Sequence, residues 1–180
     1  METITTESKP RSTLVGGKGI RTGNEFISGL QDGREVWTKG KRVADVTIEP
    51  GLSRGAATLA SFLDQQHNDN LQDTLTYIDE DGVRCPMAYM IPKSLEDVKA
   101  RGRAYYECAK WSNGMFGRTP DYKNASVMAF ASATDFIAQG TKGQTDFAAN
   151  MVNFYDYVRK NDKVLTHTLV NPTVSHQQAS

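Results

Sequence analysis

Ser94-Leu95-Glu96-Asp97-Val98-Lys99-Ala100-Arg101-Gly102-Arg103-Ala104-Tyr105-Tyr106-Glu107-Cys108-Ala109-Lys110-Trp111-Ser112-Asn113-Gly114 carries its own start and stop signals for a helix. Ser94 is a good N-cap, because its hydroxyl can accept from an amide that the first helical turn leaves unpaired. The helix is expected from Leu95 to about Ser112, with Leu95, Val98, Tyr105 and Cys108 facing inward. Asn113-Gly114 ends it, since both residues tolerate the left-handed backbone that closes a helix. A second helix is predicted over about 123–138, after the loop Gly117-Arg118-Thr119-Pro120-Asp121-Tyr122, and a third over 144–161. In the third, Phe147, Met151, Phe154 and Val158 recur at helical spacing. Three long helices in succession make the fold mainly α, with only small β-hairpins.

Towards the N-terminus the elements are shorter. Thr22-x-x-Glu25 has capping-box spacing, followed by Phe26, Ile27 and Leu30 and a stop at Asp32-Gly33. Glu35 to Thr38, a Lys39-Gly40 turn and Arg42-Val43 read as one hairpin. Residues 52–68 read as a helix with Leu52, Ala56, Leu59, Ala60 and Leu63 on one face. Leu75 to Ile78 and Val83 to Met87 read as a second hairpin around Asp81-Gly82, a pair that supplies the positive φ such turns need. Residues 1–20 read as a disordered tail. Their glycine-rich stretch Gly16-Gly17-Lys18-Gly19 reads as flexible linker rather than a phosphate loop, because Thr22 stands where the third glycine belongs and no strand precedes it. The expected division is a tail at 1–20, a helical domain at 21–163 and an extended, β-branched segment at 164–180.

Composition removes several function classes. The chain has 180 residues, enough for one domain with a real core, and it is 38% apolar and 23% charged. Twenty-one basic residues balance 21 acidic ones, which argues against a general electrostatic grip on nucleic acid or an anionic membrane. No apolar run approaches the length of a membrane span, and the start lacks the pattern of a secretory signal. Cys85 and Cys108 are the two cysteines, too few for a disulfide framework and without metal-ligand spacing. A reduced, cytoplasmic setting is the expectation.

Few residues could carry chemistry. His67 and His176 lie in polar stretches and read as solvated side chains. His167 differs, because it interrupts the apolar run Leu165 to Val170, where an imidazole must be hydrogen-bonded for structure or used for function. Arg118 sits in a loop bounded by Gly117 and Pro120. Its planar guanidinium suits an anionic oxygen, or pairs with Asp121. Tyr122 could donate from its phenol beside Arg118 or simply pack. No metal-binding motif or nucleophile elbow is present, and Arg, Tyr and His alone cannot supply redox chemistry.

Three segments together resemble the 4-hydroxyphenylacetate 3-hydroxylase family, the oxygenase components of two-component flavin-dependent monooxygenases. They are Arg21-Thr22-Gly23-Asn24-Glu25-Phe26-Ile27-Ser28-Gly29-Leu30-Gln31-Asp32-Gly33-Arg34-Glu35-Val36-Trp37, Met115 to Lys123 with its Gly-Arg-Thr-Pro-Asp-Tyr core, and Thr166-His167-Thr168-Leu169-Val170-Asn171-Pro172. The resemblance implies an acyl-CoA-dehydrogenase-like architecture, of which this chain would be the N-terminal helical domain, truncated before the middle β domain is complete. It implies ortho-hydroxylation of a phenol such as 4-hydroxyphenylacetate, using O2 and FAD reduced by a separate flavin reductase, in proteins that are homo-oligomers at full length. The residues lining the phenol pocket would be Arg118, Tyr122 and His167. Flavin contacts would fall at His167, Thr173 and His176, although Thr166 and Ser175-His176 depart from the commoner Asn and Asp-Arg of the family. A fragment this short is expected to bind FAD weakly and to expose apolar surface. The competing reading is a non-catalytic shortened paralogue that keeps the helical domain as an interaction module. A dehydratase branch with an iron–sulfur cluster fits poorly, since neither cysteine lies near Arg118 or His167.

Overall fold

The computed structural model describes residues 16–114, 121–140 and 146–166, with the backbone alone at residue 121. Helix α1 (Gly23–Ser28) begins with the capping box read from the sequence: the Thr22 hydroxyl accepts from the Glu25 amide at 3.2 Å, and the Glu25 carboxylate accepts from the Thr22 amide at 2.8 Å. Helix α2 (Ser53–Gln65) lies against it. The approach is close because residue 23 has no side chain. A Cβ there would stand 2.5 Å from the Ala60 carbonyl oxygen. Phe26, Ala60 and Leu63 bury themselves in the contact, with Leu59 and Val164 packed around them.

Two small antiparallel hairpins follow the expected turns. Strands β1 (Trp37–Thr38) and β2 (Lys41–Arg42) pair through Lys39 and Gly40, whose φ values of 49° and 73° suit a primed turn. Helix α3 (Gln72–Leu75) leads into β3 (Thr76–Ile78), which pairs with β4 (Arg84–Pro86) in the register Tyr77 to Cys85. Leu75 therefore ends a helical turn instead of opening a strand. Its side chain drops into the cluster of Phe62, Met87, Ala104 and Cys108. Met87–Tyr89 form a single 3-10 turn where the sequence suggests the end of a strand.

Helix α4 (Leu95–Trp111) carries a second capping box, between Ser94 and Asp97. Its inward face differs from the expected one. Cys108 is buried, but Leu95 is 68% exposed and Val98 53% exposed, while Arg101 and Ala104 are buried. Arg101 sets this rotation. Its Nη1 donates to the carbonyls of Met87 (3.3 Å), Ala88 (2.9 Å) and Met90 (2.6 Å), and its Nη2 to the Tyr105 hydroxyl. Three oriented carbonyls outweigh the burial of two aliphatic side chains near a helix start.

The predicted helix over 123–138 is two helices, α5 (Asp121–Ser132) and α6 (Thr134–Ala138), separated at Ala133 by a non-helical ψ of 36°. Helix α7 (Phe147–Lys160) buries Ala148, Tyr155, Val158 and Arg159. Phe147 and Phe154, which recur with Val158 at helical spacing, are 42% and 45% exposed. Tyr89, fully buried, joins the layers. Its hydroxyl donates to the Lys163 carbonyl at 2.7 Å, and its own carbonyl accepts from the Tyr155 hydroxyl at 2.6 Å. Trp37, Ile48, Phe130 and Phe136 are also well exposed, in keeping with the apolar surface expected of this chain.

The glycine run is not flexible where it meets the fold. The Gly19 amide donates to the Lys160 carbonyl and the Ile20 amide to the Arg84 carbonyl, each at 3.0 Å. A Cβ at Gly17 would collide with the backbone and side chain of Lys160, and one at Gly19 would stand 2.6 Å from the Arg84 carbonyl oxygen. Glycine serves here for close approach.

A buried charge locks the β3–β4 hairpin onto α7. The Arg159 side chain, 3% exposed, bonds Asp79 at 2.8 Å, Asp156 at 2.7 Å and Glu80 at 2.8 Å. The Asp79 side chain is fully buried, whereas that of Glu80 is 74% exposed. Replacing Arg159→Ala should cost about 3–5 kcal/mol, because Asp79 is left as an uncompensated buried charge. Replacing Glu80→Ala should cost no more than about 1 kcal/mol. Urea unfolding of the two variants measures the contrast, and equal losses would contradict it.

Candidate active site

Two chain segments meet beside one cavity. The first is the opening turn of α5, which carries Tyr122 and Asn124. The second is the stretch after α7, residues 161–166, which runs on towards His167. Helix α7 closes with a Schellman motif: the Lys163 amide donates back to the Val158 carbonyl at 2.9 Å, and the Asp162 amide to that of Arg159 at 3.4 Å. Asp162 takes the left-handed position, with φ 43°. Aspartate tolerates this conformation better than most residues, so no glycine is needed.

Asp162 is then fixed from three sides. Its carboxylate Oδ2 accepts from the Arg21 amide and from Gln66 Nε2, both at 2.9 Å. Its carbonyl accepts from Arg21 Nε at 3.0 Å and Nη2 at 2.7 Å. Residues 163–165 are thereby directed back across the core. Lys163 meets Tyr89, Val164 packs on the α1–α2 contact, and Leu165 packs on the cluster of Tyr89 and Val158. Thr166, at the end of this run, is exposed.

The cavity between these segments measures about 30 Å³, and its lining includes Gln66, Tyr105, Asn124, Asp162 and Val164. Asn124 is 2% exposed. Tyr122, two residues earlier, is 46% exposed, with Lys123 Nζ 5.3 Å from its ring centre. Of the residues expected to contact the phenol or the flavin, Tyr122 alone lies among the described ones. Arg118, His167, Thr173 and His176 lie outside them. The two cysteines are both buried, and burial pushes the Cys85 thiol up to about 12, which makes it a poor nucleophile. Asp79, Glu80 and Asp81 cluster, but Arg159 and Lys160 already pair with them.

The family described as "4-hydroxyphenylacetate 3-hydroxylase N terminal" matches residues 22–180. The chain belongs to this family. It is 41% identical over 156 residues to the 4-hydroxyphenylacetate 3-monooxygenase oxygenase component of Thermus thermophilus, covering 86% of this chain and 31% of that protein. It is 33% identical over 155 residues to the protein of the same name from Escherichia coli, covering 85% of this chain and 28% of that one. A crystal structure of the oxygenase component complexed with FAD and 4-hydroxyphenylacetate superposes with a TM-score of 0.76 at 41% identity, covering 87% of this chain and 32% of that one. The chain thus spans about a third of the length of these relatives. The mainly α class with two-stranded hairpins, and its likeness to an acyl-CoA-dehydrogenase-like oxygenase, agree with the fold expected from the sequence. Among the described residues no helix is long and apolar enough to cross a membrane.

The 30 Å³ cavity is too small for a flavin ring or a phenol, so it gives neither group a seat.

Three residues here carry no sequence motif: Gln66, Asn124 and Asp162. Only the Asn161-Asp162 pair, with its tolerance of left-handed backbone, hints at the turn. Burial raises the Asp162 carboxyl above its ordinary 3.8, against the hydrogen bonds from Arg21 and Gln66 that favour its charged form. An acid whose folded pKa is raised contributes most below the unfolded pKa, and that contribution is lost as pH rises through the folded value. Asp162→Asn should therefore compare more favourably with the parent at pH 7 than at pH 3.5. Thermal unfolding at the two values tests the sign, and a variant that gains ground on acidification would reverse it.

Proposed function

We propose that this chain is part of the oxygenase component of a two-component, FADH2-dependent monooxygenase that hydroxylates a phenol ortho to its hydroxyl, with 4-hydroxyphenylacetate as the reference substrate. The observation that supports this most is the family match across 22–180, joined to 41% identity with an oxygenase crystallised with FAD and 4-hydroxyphenylacetate. The Gly-Arg-Thr-Pro-Asp-Tyr and Thr-His-Thr-Leu-Val-Asn-Pro segments supply the chemistry.

Arg118 and His167 hold the phenol oxygen. Donors aimed at that oxygen favour its phenolate form, and the negative charge raises electron density at the ortho carbon. Tyr122, at the start of α5, orients the ring. Reduced FAD, delivered by a separate reductase, supplies the electron pair with which O2 is split into the new hydroxyl and water. The ortho C–H becomes C–OH, and the ring's displaced proton leaves to solvent. This reading requires the segment before α5 and the segment after Asp162 to bring Arg118 and His167 to one phenol oxygen.

In a complete oxygenase polypeptide carrying this segment, Arg118→Ala and His167→Ala should each lower hydroxylation by about 10²–10³-fold, the scale of losing one preorganised donor. Circular dichroism should show an unchanged fold. Parental turnover in both variants would defeat the site assignment. The 180-residue chain alone should bind reduced FAD only weakly in an anaerobic titration.

A further inference from the structure

Asn124 poses a problem that the phenol chemistry does not solve. It is 2% exposed, and its Oδ1 is buried with no hydrogen-bond partner among the described residues. A buried amide oxygen without a donor is strongly disfavoured. The same residue lines the 30 Å³ cavity, whose mostly apolar wall also includes Gln66, Tyr105 and Asp162.

Size narrows the occupant. A space of this volume takes one to about three waters, since each needs about 10–15 Å³ of accessible room. No organic ring or hydrated ion fits. Polarity narrows it further. The occupant must donate to Asn124 Oδ1, and the neighbouring Asp162 carboxylate is an acceptor. The described hydrogen bonds to that carboxylate, from Arg21 and Gln66, both reach Oδ2. A molecule with two donors therefore bridges Asn124 and Asp162 best. The apolar part of the lining, which includes Leu63, Leu75 and Val164, would leave a dry void if the polar groups were absent. The cost of an orphaned amide oxygen exceeds the modest entropy of holding one water, so hydration wins.

We propose that the cavity between the first turn of α5 and residues 162–164 is a binding site for one internal water, which donates to Asn124 Oδ1 and to the Asp162 carboxylate. The water ties the helix start to the Schellman turn, two segments about forty residues apart in sequence. The claim stands on the cavity itself and holds whether or not the monooxygenase reading does.

The 180-residue chain suffices for the test. In water-selective NMR, the Asn124 side-chain amide protons should show a cross-peak to a long-lived water. Xenon, which enters dry apolar cavities, should leave the methyl resonances of Leu63 and Leu75 in place. A missing water cross-peak, or xenon shifts at those methyls, would overturn the proposal. Asn124→Leu should lower Tm by about 4 °C or more, the size of shift expected when a buried hydrogen-bonded bridge is lost from a chain this long. An unchanged or raised Tm would instead mean that Asn124 is an unsatisfied group the fold is better without. Neither NMR measurement requires the variant to fold.

Discussion

A guanidinium in a nearly dry interior must be surrounded by acceptors, and in this chain Arg159 obeys that rule at the centre of the fold. Its three acidic partners come from two places: Asp79 and Glu80 from the turn between β3 and β4, and Asp156 from its own helix. The Tyr155 ring adds a face 5.1 Å from the guanidinium carbon. Asp79 has a second task, since its Oδ1 accepts from the Asp81 and Val83 amides and shapes the hairpin turn. Turn geometry and helix docking are thus one interaction. A hairpin of three-residue strands is too short to persist alone. It survives because its turn is pinned to α7 by charge.

From that junction the remaining order follows along the backbone. Lys160, next to Arg159, pairs with Asp81 at 2.5 Å while its carbonyl receives the Gly19 amide. Arg21 then reaches Asp162, one helical end further on. The N-terminal run, the hairpin and the end of α7 are laced together within a few residues. The backbone runs close to Lys160 and Arg84 here, which explains why glycine occupies positions 17 and 19. Any side chain there would hold the segments apart.

The consequence for function lies in what this lacing aims. The end of α7 turns at Asp162 and sends the chain across the core, past Tyr89 and beside the opening turn of α5. Tyr89 bonds the Lys163 carbonyl and takes the Tyr155 hydroxyl on its own, so core packing and the direction of the outgoing segment are set by the same residue. Residues assigned to a phenol pocket need such rigid bases, because a donor misplaced by an ångström loses most of its effect.

Local signals were legible in the letters alone: the capping box at Thr22, the N-cap at Ser94, the Lys39-Gly40 and Asp81-Gly82 turns, the Asn113-Gly114 stop, and the mainly α class. Each depends on a few neighbouring residues, so the sequence states it directly. The family was legible too, because its motifs are short and ordered. The rotation of α4, the break at Ala133 and the exposure of Phe147 and Phe154 were not, since helical spacing names a candidate face without saying what the rest of the chain offers it. Arg101 sought the carbonyls of Met87, Ala88 and Met90, and Arg159 sought Asp79, partners that only folding brings near. Nor could glycines 17 and 19 be told from linker by composition, because flexibility and close approach demand the same residue. Tertiary structure alone decided between them, by placing Lys160 and Arg84 where a side chain would have stood.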